Sequence, residues 1–277
     1  MGGRRKSLGL VPYTRSEIHE KIVRMLSGEK RGKVLDVPTG AGALADRLQK
    51  AGFDVSCCDI QPDFFAASDL TVQFGDMNKD LPYEAECFDY VVCLDGLEHT
   101  ENPSNAIREF SRIIKSGGEL FLSIPNYLNI ERRVRFLITG VFSKLHTKLR
   151  YRDALRGDAS MLHLSQIGYP VLKFLLEWNG FRVLKLDIDR PKPKLKYFLP
   201  LVWLIRFYCL FWPREARETY LLDETLSGDI MMGGNTLIVV AKKEPIHFTD
   251  SPGAGGSLRG EEKGGASQLR PQEEGGG

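Results

Sequence analysis

The chain has 277 residues, of which 42% are hydrophobic and 27% charged, with a formal net charge of +2. This balance excludes a disordered polyelectrolyte, and bulk charge names no nucleic-acid or acidic partner. Five cysteines with no C-x-x-C pair exclude a disulfide scaffold or zinc ribbon and point to a reducing cytoplasm.

Residues 1–14 read as an N-terminal arm. Gly2-Gly3-Arg4-Arg5-Lys6 is basic, but no long apolar run follows it, so no secretory signal is visible. Ser16 to Leu26 places apolar residues at helical spacing, with Ser16 as the expected N-cap. Lys33 to Val37 is a short apolar run, followed by Gly40-Ala41-Gly42 and a helical segment from Ala43 to Lys50. Strand, glycine turn, helix is the plan of a nucleotide-binding edge. Glycines there let the backbone pass close to a ligand. A second strand, Gly52 to Ile60, ends in Asp59, where an acid accepts ribose hydroxyls or caps the next helix. Leu70 to Phe74 is a third strand, with Asp76 and Met77 at its tip, and Phe88 to Leu94 a fourth. Ser104 to Ile114 is amphipathic, with Lys115-Ser116-Gly117-Gly118 expected to end it as a helix C-terminus. Glu119 to Ile124, Phe181 to Ile188 and Asn235 to Ala241 complete seven strands, with a helix from about Gln166 to Trp178. The expected fold is α/β, a Rossmann-like, mostly parallel seven-stranded sheet with helices on both faces and helical insertions.

Residues 15–243 are read as one domain, interrupted by insertions at about 127–165 and 190–234. The first is basic, with Arg132, Arg133, Arg135, Lys144, Lys148, Arg150, Arg152 and Arg156. The second holds Pro191-Lys192-Pro193-Lys194-Leu195-Lys196 and then an aromatic-aliphatic run from Tyr197 to Trp212. Pro200 and Arg206 interrupt that run, which is too short for a membrane span. It reads either as a buried helix over the substrate cleft or as a peripheral contact with the inner membrane surface. Residues 244–277, rich in Gly, Ser, Pro and charge, read as a disordered tail.

The glycine turn alone also fits a nicotinamide oxidoreductase. Taken in order, Asp36-x-x-x-Gly40-x-Gly42, Asp59, Asp76-Met77, Asp89 to Leu94 and Lys115-Ser116-Gly117-Gly118 resemble the five motifs of the class I S-adenosylmethionine-dependent methyltransferases. The resemblance implies a cofactor site of Asp36, Pro38, Gly40, Gly42, Asp59, Ile60, Asp76, Met77 and Leu94. Asp59 would bind the ribose, Asp76 and Met77 the adenine, and Asp36 or the turn carbonyls the ammonium of S-adenosylmethionine. Pro38 stands where many members have Gly; it offers no N–H, which implies rearranged turn contacts.

Leu97-Glu98-His99-x-x-x-Pro103 resembles the segment of quinone-biosynthesis O-methyltransferases, and also the acid-histidine motif of small-RNA end methyltransferases, which binds a divalent metal with a distant histidine. Asp95, Glu98 and His99, at i, i+3 and i+4, would share one helical face, with His163 as the distant member. Two roles follow. His99, His163 and Asp95 line the transfer site as catalytic groups, or Asp95, Glu98, His99 and His163 hold a cation such as magnesium that acidifies the attacking hydroxyl. Other roles are bland: Glu98 and His99 organise the loop and His163 caps a helix. The expected acceptor is an oxygen of a small molecule, a quinone-like lipid or a glycan. Nucleic acid is not expected, since no recognition motif accompanies the arginines. A non-catalytic S-adenosylmethionine-binding module on the same fold is the remaining alternative.

Overall fold

A computed structural model of the protein describes residues 10, 12, 14–142, 148–155 and 162–244, all within the compact unit Met1–Pro245. The strands are β1 (Lys33–Asp36), β2 (Asp54–Asp59), β3 (Val72–Phe74), β4 (Phe88–Leu94), β5 (Ile114–Pro125), β6 (Phe181–Ile188) and β7 (Thr236–Lys243). They form one seven-stranded sheet in the order β3-β2-β1-β4-β5-β7-β6. The first five run parallel, and β7 lies antiparallel to both β5 and β6. The expected Rossmann-like sheet is therefore present, with its one reversed strand near the edge. The chain builds outward from β1 to β3, then crosses to β4 and builds the other way. That reversal opens a crevice at the carboxyl ends of β1 and β4.

Central strands of such a sheet are apolar on both faces because helices cover both. Here α1 (Ser16–Ser27) and α2 (Ala43–Lys50) cover one face through Ile18, Ile22, Leu26, Leu44 and Leu48. On the other, α3 (Pro103–Ile113) contributes Ile107 and Phe110, and a later helix over Tyr169–Trp178 contributes Leu172 and Leu176. Phe88, Phe110 and Phe121 are almost wholly buried, each contributing roughly 2–3 kcal/mol by transfer from water. Cys57, Cys58 and Cys93 are buried as small core residues.

Several expected boundaries shift for local reasons. Ser16 is already inside α1; Arg15 precedes the helix and no side chain caps it. The Asn102 side chain accepts the Asn105 N–H at 3.0 Å and Pro103 opens α3, so that helix starts one residue early. Lys115-Ser116-Gly117-Gly118 is not a helix C-terminus but part of β5. Gly117 takes φ +79°, and a Cβ on Gly118 would lie 2.7 Å from the Asp89 carbonyl oxygen, so the glycines let β5 come alongside β4 across a register shift. Asp89 ties the same corner together, accepting the Lys33 N–H at 2.8 Å and Lys115 Nζ at 2.7 Å.

The insertions are helical. After β5 come α4 (Ile130–Thr139) and α5 (Lys148–Leu155), then α6 (Tyr169–Trp178). Between β6 and β7 lie a 3-10 segment over Pro193–Phe198, α7 (Leu199–Leu210) and short helical turns. Ile130, Leu195, Val202 and Met231 join these insertions in a small satellite core. The rest of α7 is not fully buried: Trp203, Leu204, Phe207 and Tyr208 are each more than half exposed, and Val202 is its one fully buried side chain among the described residues. A buried helix roofing the cleft is thus replaced by an apolar helix facing outward. No helix among the described residues is long and apolar enough to cross a membrane. The basic character of the first insertion is also reduced. Arg133 turns inward, donating to the Leu128 and Thr225 carbonyls, and Arg135 pairs with Glu131. Lys144, Arg156 and the tail from 245 onward lie outside the described residues.

Candidate functional site

A cavity of about 930 Å³ opens at the carboxyl ends of β1 to β5. One end gathers the residues expected for the cofactor. Asp59 closes β2 and reaches back over the turn, its Oδ2 accepting the Gly40 N–H and its Oδ1 the Gln61 N–H, both at 2.8 Å. It therefore organises two loops and does not cap the short helical turn over Pro62–Phe64. Asp76 and Met77 line the same end, with Asp76 Oδ1 held by the backbone and side-chain nitrogens of Asn78 at 2.9 Å each. Ile60 and Phe64 keep exposed apolar surface toward the cavity, which suits the faces of a purine. Gly40, φ +54°, lines the cavity; Gly42 lies behind it, where a Cβ would meet Phe65 at 2.6 Å. Pro38, joined to Val37 by a cis peptide bond, packs on Gly96, where a Cβ would lie 2.5 Å from its ring. Pro38 thus locks the tip of β1 to the segment leaving β4, and Leu94 completes the wall.

Asp36 is buried at the base of this turn, and its Oδ2 accepts the Thr39 hydroxyl at 2.8 Å. Burial pushes its carboxyl up to about 7, against the lowering effect of the Thr39 bond and with added repulsion from Asp59. The folded value lies above the unfolded one, so the free protein holds this proton and loses stability as pH rises from about 4 to about 7. A ligand ammonium needs the ionised form. Affinity for S-adenosylhomocysteine is therefore expected to rise about tenfold between pH 6 and pH 8, as the ionised fraction does. Calorimetric titration of Asp36→Asn should show no such rise; a parallel rise in the variant would remove Asp36 from ammonium binding.

The other end of the cavity brings together residues distant in sequence. Leu97–His99 form a 3-10 turn after β4. Beside it runs the segment from Leu162 to Ser165, pinned by Ser165 N–H to the Glu98 carbonyl at 3.0 Å and by Ser165 Oγ to the Thr100 carbonyl at 2.7 Å. His99 and His163 meet ring edge to ring face, with centroids 5.0 Å apart. His99 Nδ1 lies 2.8 Å from the Leu162 carbonyl, which only a protonated nitrogen can satisfy, so the lone pair sits on Nε2. Glu98 is buried, and one donor atom from each of Glu98, His99 and His163 lies within 4.8 Å of the others. Burial, and then the charge of Asp95, push the Glu98 carboxyl up to about 8, and its Oε2 has no hydrogen-bond partner among the described residues.

Asp95 does not share a helical face with Glu98 and His99. Its backbone is left-handed, φ +46°, and its carboxylate turns to Ser123: the Asp95 N–H donates to Ser123 Oγ at 2.8 Å, and that hydroxyl donates to Asp95 Oδ1 at 2.7 Å. It lines the cavity between the two ends, outside the Glu98–His99–His163 group. The tertiary structure adds residues that spacing alone does not single out. His19, held neutral with its pKa lowered to about 4 by burial and by Arg47, faces the cavity from α1, Thr14 from the segment before it, and Arg132 from α4. His19 carried the one available signal, a histidine in the first turns of a helix beside the glycine strand.

A sequence profile described as "Methyltransferase domain" matches residues 12–186. Among curated proteins, the chain is 29% identical over 153 residues to a demethylmenaquinone methyltransferase of Chlorobaculum tepidum, covering 50% of this chain and 63% of that one. It is 34% identical over 103 residues to a ubiquinone biosynthesis O-methyltransferase of Xanthomonas oryzae pv. oryzae, covering 34% and 43%. The chain thus spans less than two thirds of the length of these relatives. Among solved structures, a SAM-dependent methyltransferase from Archaeoglobus fulgidus superposes with a TM-score of 0.51 at 19% identity, covering 81% of this chain and 94% of that one. A protein from Pyrococcus horikoshii gives 0.52 at 18% identity, covering 85% and 93%. At these identities the structures show a shared fold.

Proposed function

The chain belongs to the class I S-adenosylmethionine-dependent methyltransferase family, and on that premise we propose that it methylates a hydroxyl oxygen of a small-molecule or quinone-like lipid acceptor. Family membership sets aside the nicotinamide oxidoreductase. The observation that carries the proposal is the single cavity lined both by acids from successive strand tips and by the Glu98–His99–His163 group. The curated relatives act, by name, on demethylmenaquinone and in ubiquinone biosynthesis, which favours a quinone-like acceptor, and the second is named as an O-methyltransferase, which favours oxygen. We place the transfer domain at residues 15–243, with the tail from 244 outside it.

Bound S-adenosylmethionine supplies an electrophilic methyl on a sulfonium. The carboxylates of Asp36 and Asp59 accept the ammonium and ribose hydroxyls, while Asp76 and the backbone of Met77 fix the base. Holding the methyl in line with the acceptor oxygen and excluding water are the main tasks of the protein. His99 Nε2 would take the hydroxyl proton while the acceptor oxygen gained the methyl group and the carbon–sulfur bond broke, leaving S-adenosylhomocysteine as a neutral thioether, and His163 packs the imidazole in place. A second reading rests on the same three side chains. Glu98, His99 and His163 would hold a divalent cation, for which the unpartnered Glu98 Oε2 is a fitting donor. Two imidazoles and one carboxylate suit manganese or zinc better than magnesium. The cation would lower the hydroxyl pKa and remove the need for a base.

Methyl-labelled S-adenosylmethionine incubated with the protein and fractionated cell extract tests both. Label is expected in the small-molecule or lipid fraction; label confined to protein or RNA overturns the acceptor class, and cofactor binding with no product in any fraction returns the non-catalytic module. Transfer unchanged after thorough chelation removes the metal reading, whereas loss restored by added manganese establishes it.

We further propose that the outward face of α7, with the exposed Leu137 and Ile138 of α4, rests on a membrane surface that carries the acceptor. Arg190, Lys194 and Lys196 lie exposed beside this apolar surface, a pairing that favours anionic lipid. The protein should co-sediment with anionic vesicles at low salt and release as salt rises. Trp203→Glu with Leu204→Glu should abolish pelleting; no pelleting of the native protein at low salt refutes the contact.

A further inference from the structure

Two buried donors have no hydrogen-bond partner among the described residues, Arg132 Nη1 and the Tyr127 hydroxyl, and of the two residues Arg132 lines the cavity. Both are held rigidly. Asn126 and Asn129 are fully buried, and their side-chain amides donate to the Ile230 and Gly234 carbonyls, which fastens the start of α4 to the segment before β7. Asn129 also caps α4 by accepting the Arg132 N–H at 3.0 Å. The Arg132 guanidinium then lies over the Tyr127 ring, 5.0 Å from its centroid, and lines the cavity.

The neighbouring charges do not neutralise it. Glu131, adjacent in sequence, is engaged by Arg135 at 2.8 Å and by Lys192 at 3.1 Å. Arg133, one residue on, has two backbone carbonyls. Arg132 has no such carboxylate or carbonyl, and burial lowers its pKa. The phenol of Tyr127 is pushed up to about 12 by burial, so it stays a neutral O–H donor. A half-buried guanidinium whose Nη1 has no hydrogen-bond acceptor among the described residues is unfavourable unless something arrives to pair with it. The guanidinium fork matches the two oxygens of a carboxylate or phosphate.

We propose that Arg132, backed by the Tyr127 ring, forms an oxyanion-recognising subsite, selecting acceptors that carry a carboxylate or phosphate group near the hydroxyl to be methylated. The proposal rests on the methyltransferase reading for which end of the cavity receives the acceptor. The cofactor residues come from the tips of β1 to β4. Arg132 follows β5 and faces the cavity beside Asn235 and Thr236, at the start of β7. Strands are spaced about 4.8 Å apart, so β5 lies roughly 14 Å from β2, where the ribose acid stands, and β7 further still. This places the guanidinium beyond the transfer site as seen from the adenosine end.

The test is calorimetric titration of the S-adenosylhomocysteine-loaded protein with benzoate, inorganic phosphate and, as the neutral control, catechol. Saturable binding of at least one anion is expected, weakened tenfold or more in Arg132→Gln and partly retained in Arg132→Lys, which keeps the charge and guards against a folding defect in the glutamine variant. Catechol binding should not depend on Arg132. Whether benzoate or phosphate binds more tightly identifies the group. Absence of saturable binding by both anions, or equal binding by Arg132→Gln, overturns the proposal. So does a different pattern, in which Arg132→Gln weakens S-adenosylhomocysteine tenfold but leaves 5′-methylthioadenosine, which lacks the carboxylate, unchanged; the guanidinium would then serve the cofactor. Failure of the anion titrations with S-adenosylhomocysteine binding intact leaves the methyltransferase reading standing, while failure of S-adenosylhomocysteine itself to bind counts against that reading.

Discussion

Asp59→Ala is expected to weaken S-adenosylhomocysteine binding about a hundredfold, from the loss of two charge-assisted hydrogen bonds to ribose at roughly 1.5–3 kcal/mol each, less what water recovers. A carboxylate has about four acceptor positions. Here Gly40 and Gln61 occupy one on each oxygen, which leaves one on each for the two hydroxyls. The same side chain therefore shapes the turn and meets the ligand. Asp59→Asn retains one carbonyl acceptor and should fall between native and alanine. Isothermal titration reads the effect directly, and an unaltered binding curve for Asp59→Ala would overturn the ribose assignment.

The second large effect is on turnover. His99→Ala should reduce kcat by about 10²- to 10⁴-fold, the range for loss of a positioned proton acceptor. S-adenosylhomocysteine affinity should stay within error, because none of the cofactor contacts proposed above is assigned to His99. His163→Ala separates the two mechanisms. If His99 is the base, His163 only packs its ring and its loss is the smaller one. If both hold a cation, the two variants lose activity alike, and added metal rescues neither fully. Native turnover in His99→Ala would remove the histidines from the chemistry.

The legible parts of this protein are those whose cause is local. The glycine turn after an apolar strand, with a helix following, needs only a few consecutive residues, and Lys33 to Lys50 folds as that pattern indicates. Asp59 and Asp76 are at strand tips because alternating strands and helices bring every parallel strand's carboxyl end to one edge. The Lys115–Gly118 segment misled for the same reason. A cation and two glycines after an amphipathic run are a local helix-end signal, yet the backbone beside Asp89 leaves room only for a strand without a Cβ at Gly118. Likewise, the i, i+3, i+4 spacing of Asp95, Glu98 and His99 implied a shared face, but Ser123, 28 residues away, draws Asp95 aside.

The sheet, the glycine turn and the acids at its edge follow from local sequence, since periodicity and turn chemistry act over a few residues. What joins those acids in the cavity depends on contacts between distant segments. His163 meets His99 across 64 positions through the Leu162 carbonyl and Ser165. Arg132 and Arg133, equivalent as neighbouring cations in a basic insertion, part company because one is fastened to carbonyls and the other is left facing the cavity. The apolar run over Tyr197–Trp212 faces outward for a comparable reason: the satellite core has room for Val202 and little else of α7. Which side chain faces a ligand depends on strand order and on what else competes for its hydrogen bonds, and neither is written in local spacing.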